Sequence, residues 1–304
     1  MDGLVFIEDI GGGQADLVKK IAKVGFTQTP LFSMISKAVP TYTSKPIMGH
    51  NWQYEVMDDG DDDNAHAEGS VPATATSNVL GTSMNHYQII KDTYGVNGSV
   101  EHVKTTEGQA ELVRQGGIKL VKQRKTIEKL LFKNQAPVKR VEKGTKVVGK
   151  AGSLLHWATV ENTVDAASAT LTMANLRNML KIGWEKGVPV THIFCSDIQK
   201  DIMDDLLDSK VRIGQGGNVI KYSNYTEIKN LSYAPNVKII LTPYLASNKI
   251  LGVNLASLAL VYSRLTKSYE LARTKDAVEK ELITELTLRV NNPYGVTLLD
   301  NLGV

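Results

Sequence analysis

The strongest constraint on the fold is a long polar interruption between two apolar stretches. Trp52 to Met57 reads as a strand and His86 to Val96 as the strand that returns. Between them, Asp58 to Ser83 is rich in Asp, Gly, Ala and Thr and carries neither a strand nor a helix period. An irregular stretch of 26 residues is uncommon inside a compact domain and is usually functional or disordered. The pattern predicts a long hairpin whose tip works outside its own core. A core is available elsewhere, because 304 residues, 42% hydrophobic and 22% charged, suffice for one large domain or two lobes without staples. The single Cys195 rules out an internal disulfide and reads as a small buried hydrophobe.

Charge is distributed unevenly around that interruption. From Pro46 to Ile90 there is no Lys or Arg, while Glu55, Asp58, Asp59, Asp61, Asp62, Asp63 and Glu68 give −7. Lys91 to Lys150 follows with fourteen basic and six acidic residues, hence +8. The whole chain sets 35 basic against 32 acidic residues, and a surplus of +3 is too small for a protein whose main task is gripping nucleic-acid phosphates. Both blocks also admit a plain reading as solvated surface. The basic block holds the longest helical pattern, Lys104 to Lys133, in which Val113, Gly117, Leu120, Ile127 and Leu131 share one face. Lys119, Lys122, Lys125, Lys129 and Lys133 recur at spacings of three and four and form a stripe along it. Gly116 and Gly117 each cost about 1 kcal/mol relative to Ala there, so a kink or a close packing contact is expected.

The remaining elements are mixed rather than alternating. Met1 to Ser44 reads as an arm with a helix around Ala15 to Val24 and a Thr29-Pro30 junction. Leu171 to Lys186 predicts a helix and Val190 to Cys195 a short buried strand. Ser196 to Gln199 spells a capping box opening a helix through Leu207. Ser209 to Asn218 reads as a glycine-rich loop, and Val237 to Leu241 begins a run of strands. Ile250 to Ser263 is too short for a membrane span and is interrupted by Gly252, Asn254 and Ser257, so it reads as a core strand. Leu282, Leu286, Leu288 and Val290 oppose Glu285, Thr287 and Arg289, which predicts a half-buried strand closing the fold. Without regular strand–helix alternation the fold class is α+β. The acids near the N-terminus give no expectation of export.

Candidate chemistry is thin. Gly144 to Lys150 matches the phosphate-binding spacing GxxxxGK but ends on Ala151, where a hydroxyl should meet magnesium, and a basic surface hairpin explains it as well. The histidines at 50, 66, 86, 102, 156 and 192 show no metal spacing. Asp58 to Asn64 lacks the ordered ligand positions of a calcium loop. Cys195 and His192, three apart on a strand, face opposite sides and have no orienting acid. Gly214 to Asn218 offers glycines without a flanking strand and helix, which leaves a turn. No catalytic, cofactor or metal residue is assigned.

The order of several segments is more telling. Thr29-Pro-Leu-Phe-Ser-Met-Ile-Ser-Lys37, Trp52-Gln-Tyr-Glu55 and Glu68-Gly69 are followed by Asn85-His-Tyr-Gln88-Ile89. Leu171 to Gly187 then precede Thr191-His-Ile-Phe-Cys-Ser-Asp-Ile-Gln-Lys200, and Leu271-Ala272-Arg273-Thr274 and Glu285 to Asn292 complete the series. In this order they resemble the major head (capsid) proteins of tailed phages, with the Hong Kong 97-like fold. Gly116-Gly117 within the expected spine helix and the Ser209 to Asn218 loop depart from the family pattern.

The resemblance implies an N-terminal arm over 1–45 and an extended loop over 46–98. It also implies a peripheral domain built from 99–168 and 250–304, and an axial domain over 169–249. It implies a subunit of a head shell around double-stranded DNA, located in the virion and assembled in the host cytoplasm. Its partners would be further copies of itself in hexamers and pentamers, with portal, separate scaffold and decoration proteins, weak contact with packaged DNA and no membrane. Candidate contacts between subunits are apolar at Phe32, Trp52 and Tyr54. The charged candidates pair Glu55, Asp58, Asp59, Asp61 and Asp62 with Lys122, Lys125 and Lys129 of a neighbour. Two rival readings are a DNA-coating protein using the Lys119 to Lys133 face and a nucleotide hydrolase using Gly149 and Lys150.

Overall fold

The structure, a computed structural model, describes residues 28–39, 49–55, 57, 65–71, 77, 80–101, 110–208, 227–231 and 233–303. The expected helix at Ala15 to Val24, most of the acidic stretch and the Ser209 to Asn218 loop lie outside these residues. The elements begin with α1 (Pro30–Met34), β1 (Ser36–Ala38), β2 (Gly49–Glu55), β3 (Leu80–His86), β4 (Gln88–Asn97), α2 (Gly98–Glu101) and α3 (Glu111–Phe132). They continue through α4 (Leu154–Trp157), β5 (Thr163–Asp165), α5 (Met173–Glu185), β6 (His192–Cys195), α6 (Asp197–Asp208) and β7 (Glu227–Leu231). The chain closes with β8 (Ala234–Leu241), β9 (Ile250–Val253), β10 (Leu258–Glu270), β11 (Ala277–Val290) and β12 (Val296–Asp300).

Among the described residues the strands form three sheets, ordered β1-β10-β11-β4, β5-β12-β9-β6-β8-β7 and β2-β3. One apolar core lies between α3 and the first sheet and includes Leu31, Ile127, Leu131, Leu260 and Leu286. A second gathers Leu176, Met179, Ile193, Val237 and Leu299 beneath α5 and α6. Strand β9 serves both, Ile250 in the second core and Leu251 and Val253 in the first, as the two-residue strand period dictates. The Phe132 and Phe194 rings, 5.3 Å apart, sit where α3 meets β6.

Several expectations need correcting. The strand that returns from the polar interruption is Leu80–His86, paired with β2 from Gly49↔His86 to Glu55↔Leu80. His86 to Val96 instead falls mostly in β4, which pairs with β11 in another sheet. The weak alternation of Leu80-Gly-Thr-Ser-Met hid a strand whose faces are only partly covered. Ile250 to Ser263 is two strands in two sheets, broken where the Asn254 side chain accepts the Ala256 N–H and caps a short 3-10 turn. Strand β11 is buried on both faces, Glu285 and Thr287 as well as the leucines, so it is central rather than half-buried, and β12 follows it as the last strand of the described chain. The capping box at Ser196 does not form. Its hydroxyl is buried without a partner, and Gln199 donates to the Gly303 carbonyl instead.

Helix α3 runs unbroken through Gly116-Gly117. A Cβ at Gly116 would stand 3.2 Å from the Tyr94 ring, so that glycine permits close packing on β4 rather than a kink. The expected apolar face is buried only in its second half. Ile127 and Leu131 are core, whereas Val113 is 66% exposed, because the core does not extend along the whole helix.

Candidate subunit interface

The β2–β3 hairpin forms a sheet of its own that touches the first core through Trp52 and is pinned at its base. Asn85, fully buried, donates from Nδ2 to the carbonyls of Gly152 (3.0 Å) and Leu288 (2.7 Å) and accepts at Oδ1 from the N–H groups of Gly152 (2.7 Å) and His86 (2.9 Å). Four bonds to one side chain saturate it and fix the angle at which the hairpin leaves the sheet. Gln88 continues the network, its Oε1 accepting from Gln135 Nε2 (3.0 Å) and Ala151 N (3.2 Å). In the sequence Asn85 and Gln88 stand only within the segment Asn85-His-Tyr-Gln88-Ile89. Nothing local distinguishes a saturated buried amide from an exposed one.

Of the apolar candidates, Trp52 turns inward. It is 8% exposed, with its ring 5.4 Å from that of Trp157 and 6.0 Å from that of His50, so its surface is taken up within its own chain. Phe32 is half-buried against the first core, with the Lys37 ammonium 4.6 Å above its ring. Tyr54 covers Gly81 on the opposite strand, where a Cβ would lie 2.5 Å from the ring. With Glu55 and Met57 it faces Trp184, Gly187, Pro293 and Tyr294 across a groove of about 570 Å³. Glu55 is exposed, and Asp58, Asp59, Asp61 and Asp62 lie outside the described residues.

The lysine stripe is not uniform. Lys122 Nζ sits 2.5 Å from Asp92 Oδ1, and that carboxylate is 7% exposed, so Lys122 neutralises a buried acid of its own chain. Lys129 projects over the Tyr244 ring at 5.6 Å, and Lys125 is partly exposed. Next to Lys129, Glu128 is fully buried and faces the other way. Its Oε1 and Oε2 accept the N–H groups of Leu31 (3.0 Å) and Phe32 (2.7 Å) and so cap the first turn of α1. Burial raises its carboxyl above the ordinary range, and the two backbone bonds pull it back only in part.

The segment with phosphate-loop spacing is a small hairpin, bridged at Val138↔Lys150 and Val141↔Val147 and turning at Gly144 with φ +73°. Gly149 and Lys150 lie on its returning side rather than between a strand and a helix, so the nucleotide reading has no support here. Cys195 is fully buried and its thiol is pushed up to about 12 by desolvation, which makes it a poor nucleophile. Among the described residues no three His, Cys, Asp or Glu side chains group as metal ligands, and no helix is long and apolar enough to cross a membrane.

What the molecule offers is a separate two-stranded hairpin, a fastened arm and charged surface, with no organised reaction centre among the described residues. The same architecture occurs in the cyanophage A-1(L) capsid, with a TM-score of 0.65 at 14% identity over 98% of each chain. It occurs in the SrpI encapsulin of Synechococcus elongatus PCC 7942, at 0.64 and 11% identity over 95% of this chain and 93% of that one. Mycobacterium phage Che8 gives 0.56 at 12% identity, covering 94% and 96%. Likeness at such identities is one of fold, and the fold is the Hong Kong 97-like one. The chain belongs to the SU10 major capsid protein family, whose model matches residues 5–303. No curated protein matches it in sequence.

Proposed function

We propose that this major capsid protein closes a phage head by laying the acidic stretch after β2 over the basic segment, residues 91–150, of the next subunit. The observation that carries the reading is the β2–β3 hairpin, which is fixed at Asn85 and whose two strands bracket most of a −7 stretch in the sequence. A rim contact of this kind sets register and encounter rate more than affinity. Apolar burial supplies most of the binding energy, with Tyr54 and the exposed part of Phe32 as its candidates on this chain. In this reading the six-stranded sheet with α5 and α6 is the axial domain, which adds β5, β9 and β12 to the range 169–249. The peripheral domain is α3 with the four-stranded sheet.

The reading makes the chain a structural subunit rather than an enzyme. It places the protein in the virion after assembly in the host cytoplasm, with portal, scaffold and decoration proteins as further partners. A near-neutral subunit suits a shell wall, since strong phosphate binding would hinder dense packing of DNA. Electron microscopy and sedimentation of the purified chain test the reading. Closed particles or uniform capsomers are expected, and a monomer that persists at high concentration across salt and pH would overturn it. A monomer whose DNA affinity falls steeply with salt would favour the DNA-coating alternative.

A further inference from the structure

The two cores carry outer surfaces of opposite charge. Over the second core, α6 holds Asp197, Asp201, Asp204, Asp205 and Asp208 against one base, Lys200, which is itself buried against Asp204. Asp197, Asp201 and Asp205 recur every four residues and so line one stripe. They are exposed and, among the described residues, form no ion pair. Each is followed by an apolar residue, Ile198, Ile202 and Leu206 in turn. Ile202 and Leu206 pack on the second core, whereas Ile198 is 38% exposed at the start of the helix.

The complementary surface is the hairpin of residues 138–150 on the first sheet. It holds Lys139, Arg140, Lys143, Lys146 and Lys150 against the single Glu142. Arg140 is committed to Glu142 and to the buried Glu285, both at 2.9 Å. The four lysines are exposed and, among the described residues, form no ion pair. Between this hairpin and β4 lies a groove of about 380 Å³ lined by Tyr87, Ile89, Val141, Val147 and Val148, the last 75% exposed. A groove of this kind takes an amphipathic helix edge that joins an apolar residue to negative charge.

The two surfaces also match in length. Asp197 to Asp205 spans about 12 Å along the helix axis. The bridges Val138↔Lys150 and Val141↔Val147, beside which Lys139 with Lys150 and Lys143 with Lys146 stand, are about 10 Å apart at strand rise. We infer that the groove between β4 and the 138–150 hairpin receives α6 of a second copy of this chain, with its aspartate stripe against the hairpin lysines and Ile198 on the valines. The chain's own α6 belongs to another layer. The hairpin is tied to the first sheet through Arg140 on Glu285 and Gly149 against the Tyr87 carbonyl. The inner face of α6 lies in the second core, and its Gln199 is bonded to Gly303. The contact therefore runs head to tail between copies, the kind that closes into rings. The inference rests on the capsid reading and adds a contact whose acidic side is α6 rather than the stretch after β2.

Engineered cysteines test the contact, because the native Cys195 is fully buried. Full-length Ile198→Cys/Val148→Cys, assembled and then oxidised with diamide, is expected to give a ladder of disulfide-linked multimers on a non-reducing gel. Val160→Cys/Val148→Cys, whose first position is 93% exposed but lies away from α6, is expected to stay monomeric on the same gel. Particles that yield no ladder from the α6 pair, a ladder from the control pair alone, or a link within one chain overturns the contact. Wild-type protein that forms no particle overturns the capsid reading itself. Should the cysteine variants not fold, charge reversal gives a second route. Lys143→Glu/Lys146→Glu should slow assembly about tenfold at low salt, and Asp201→Lys/Asp205→Lys should restore much of that rate. A rate indifferent to the lysine change overturns the contact, as does rescue by Asp59→Lys/Asp61→Lys/Asp62→Lys in place of the α6 change.

Discussion

At the scale of single residues, the informative side chains are polar ones that the fold has taken out of water. Lys122 is the clearest case. On a stripe it looks interchangeable with Lys125, yet it balances Asp92, so replacing it leaves a buried carboxylate without its partner. Lys122→Ala is expected to lower unfolding stability by about 1–3 kcal/mol, whereas Lys125→Ala should change it by less than about 0.5 kcal/mol. Urea denaturation of the two variants separates them, and equal midpoints would remove the Asp92 argument. Glu128 gives a pH signature. Its carboxyl lies above the ordinary 4.5 because burial disfavours the charge. A carboxyl raised in the folded state contributes stability that is complete below 4.5 and is lost as pH rises through the folded value. Glu128→Gln should flatten that part of the profile of Tm against pH, and an unchanged slope would assign it to another group. Glu128→Ala, which leaves the Leu31 and Phe32 N–H groups without an acceptor, should cost about 1–3 kcal/mol below pH 4.5, less as pH rises through the folded value, and loosen α1.

At the scale of elements, the hairpin and α3 show where periodicity stops being a guide. Strand β3 is concealed because its faces are only partly covered and need no apolar alternation, and β4 reads as the partner of β2 because it is the better strand by pattern. What joins the two strands to the body is Asn85, and Asn85→Ala would strand the Gly152 N–H and the Gly152 and Leu288 carbonyls. A loss of about 2–4 kcal/mol is expected from those unpaired groups, read by thermal or chemical unfolding. A cost below about 0.5 kcal/mol would mean that water replaces the amide. The strand bounds also define a truncation. Removing 58–78 spares β3, and because closure entropy varies slowly with loop length, the shortened chain should keep one cooperative melting transition yet form no particles. Particles from this variant would exclude the acidic stretch from assembly.

For the whole molecule, the prediction is one of closure, since a major capsid protein completes a shell by repeating its contacts with copies of itself. Light scattering should show high-mass species whose rate of formation falls as salt rises toward 1 M, where charges are screened within about 3 Å. A rate indifferent to salt would remove charge from the encounter step. The mixed α+β class, the polar interruption, the −7 and +8 blocks and the buried cysteine were legible in the chain itself, because composition and period report which segments can be buried. The candidate site was legible less evenly. Tyr54 and Glu55 lie at the end of β2 away from Asn85, on a groove shared with Trp184 and Tyr294 of the same chain, while Trp52 belongs to its own core and Lys122 to Asp92. Which apolar stretch joins which sheet, which lysine is already neutralised and which amide is saturated depend on partners 30 to 200 residues away in sequence. Only the tertiary structure decided those, because burial and pairing are properties of the space around a side chain, and that space is assembled from distant parts of the chain.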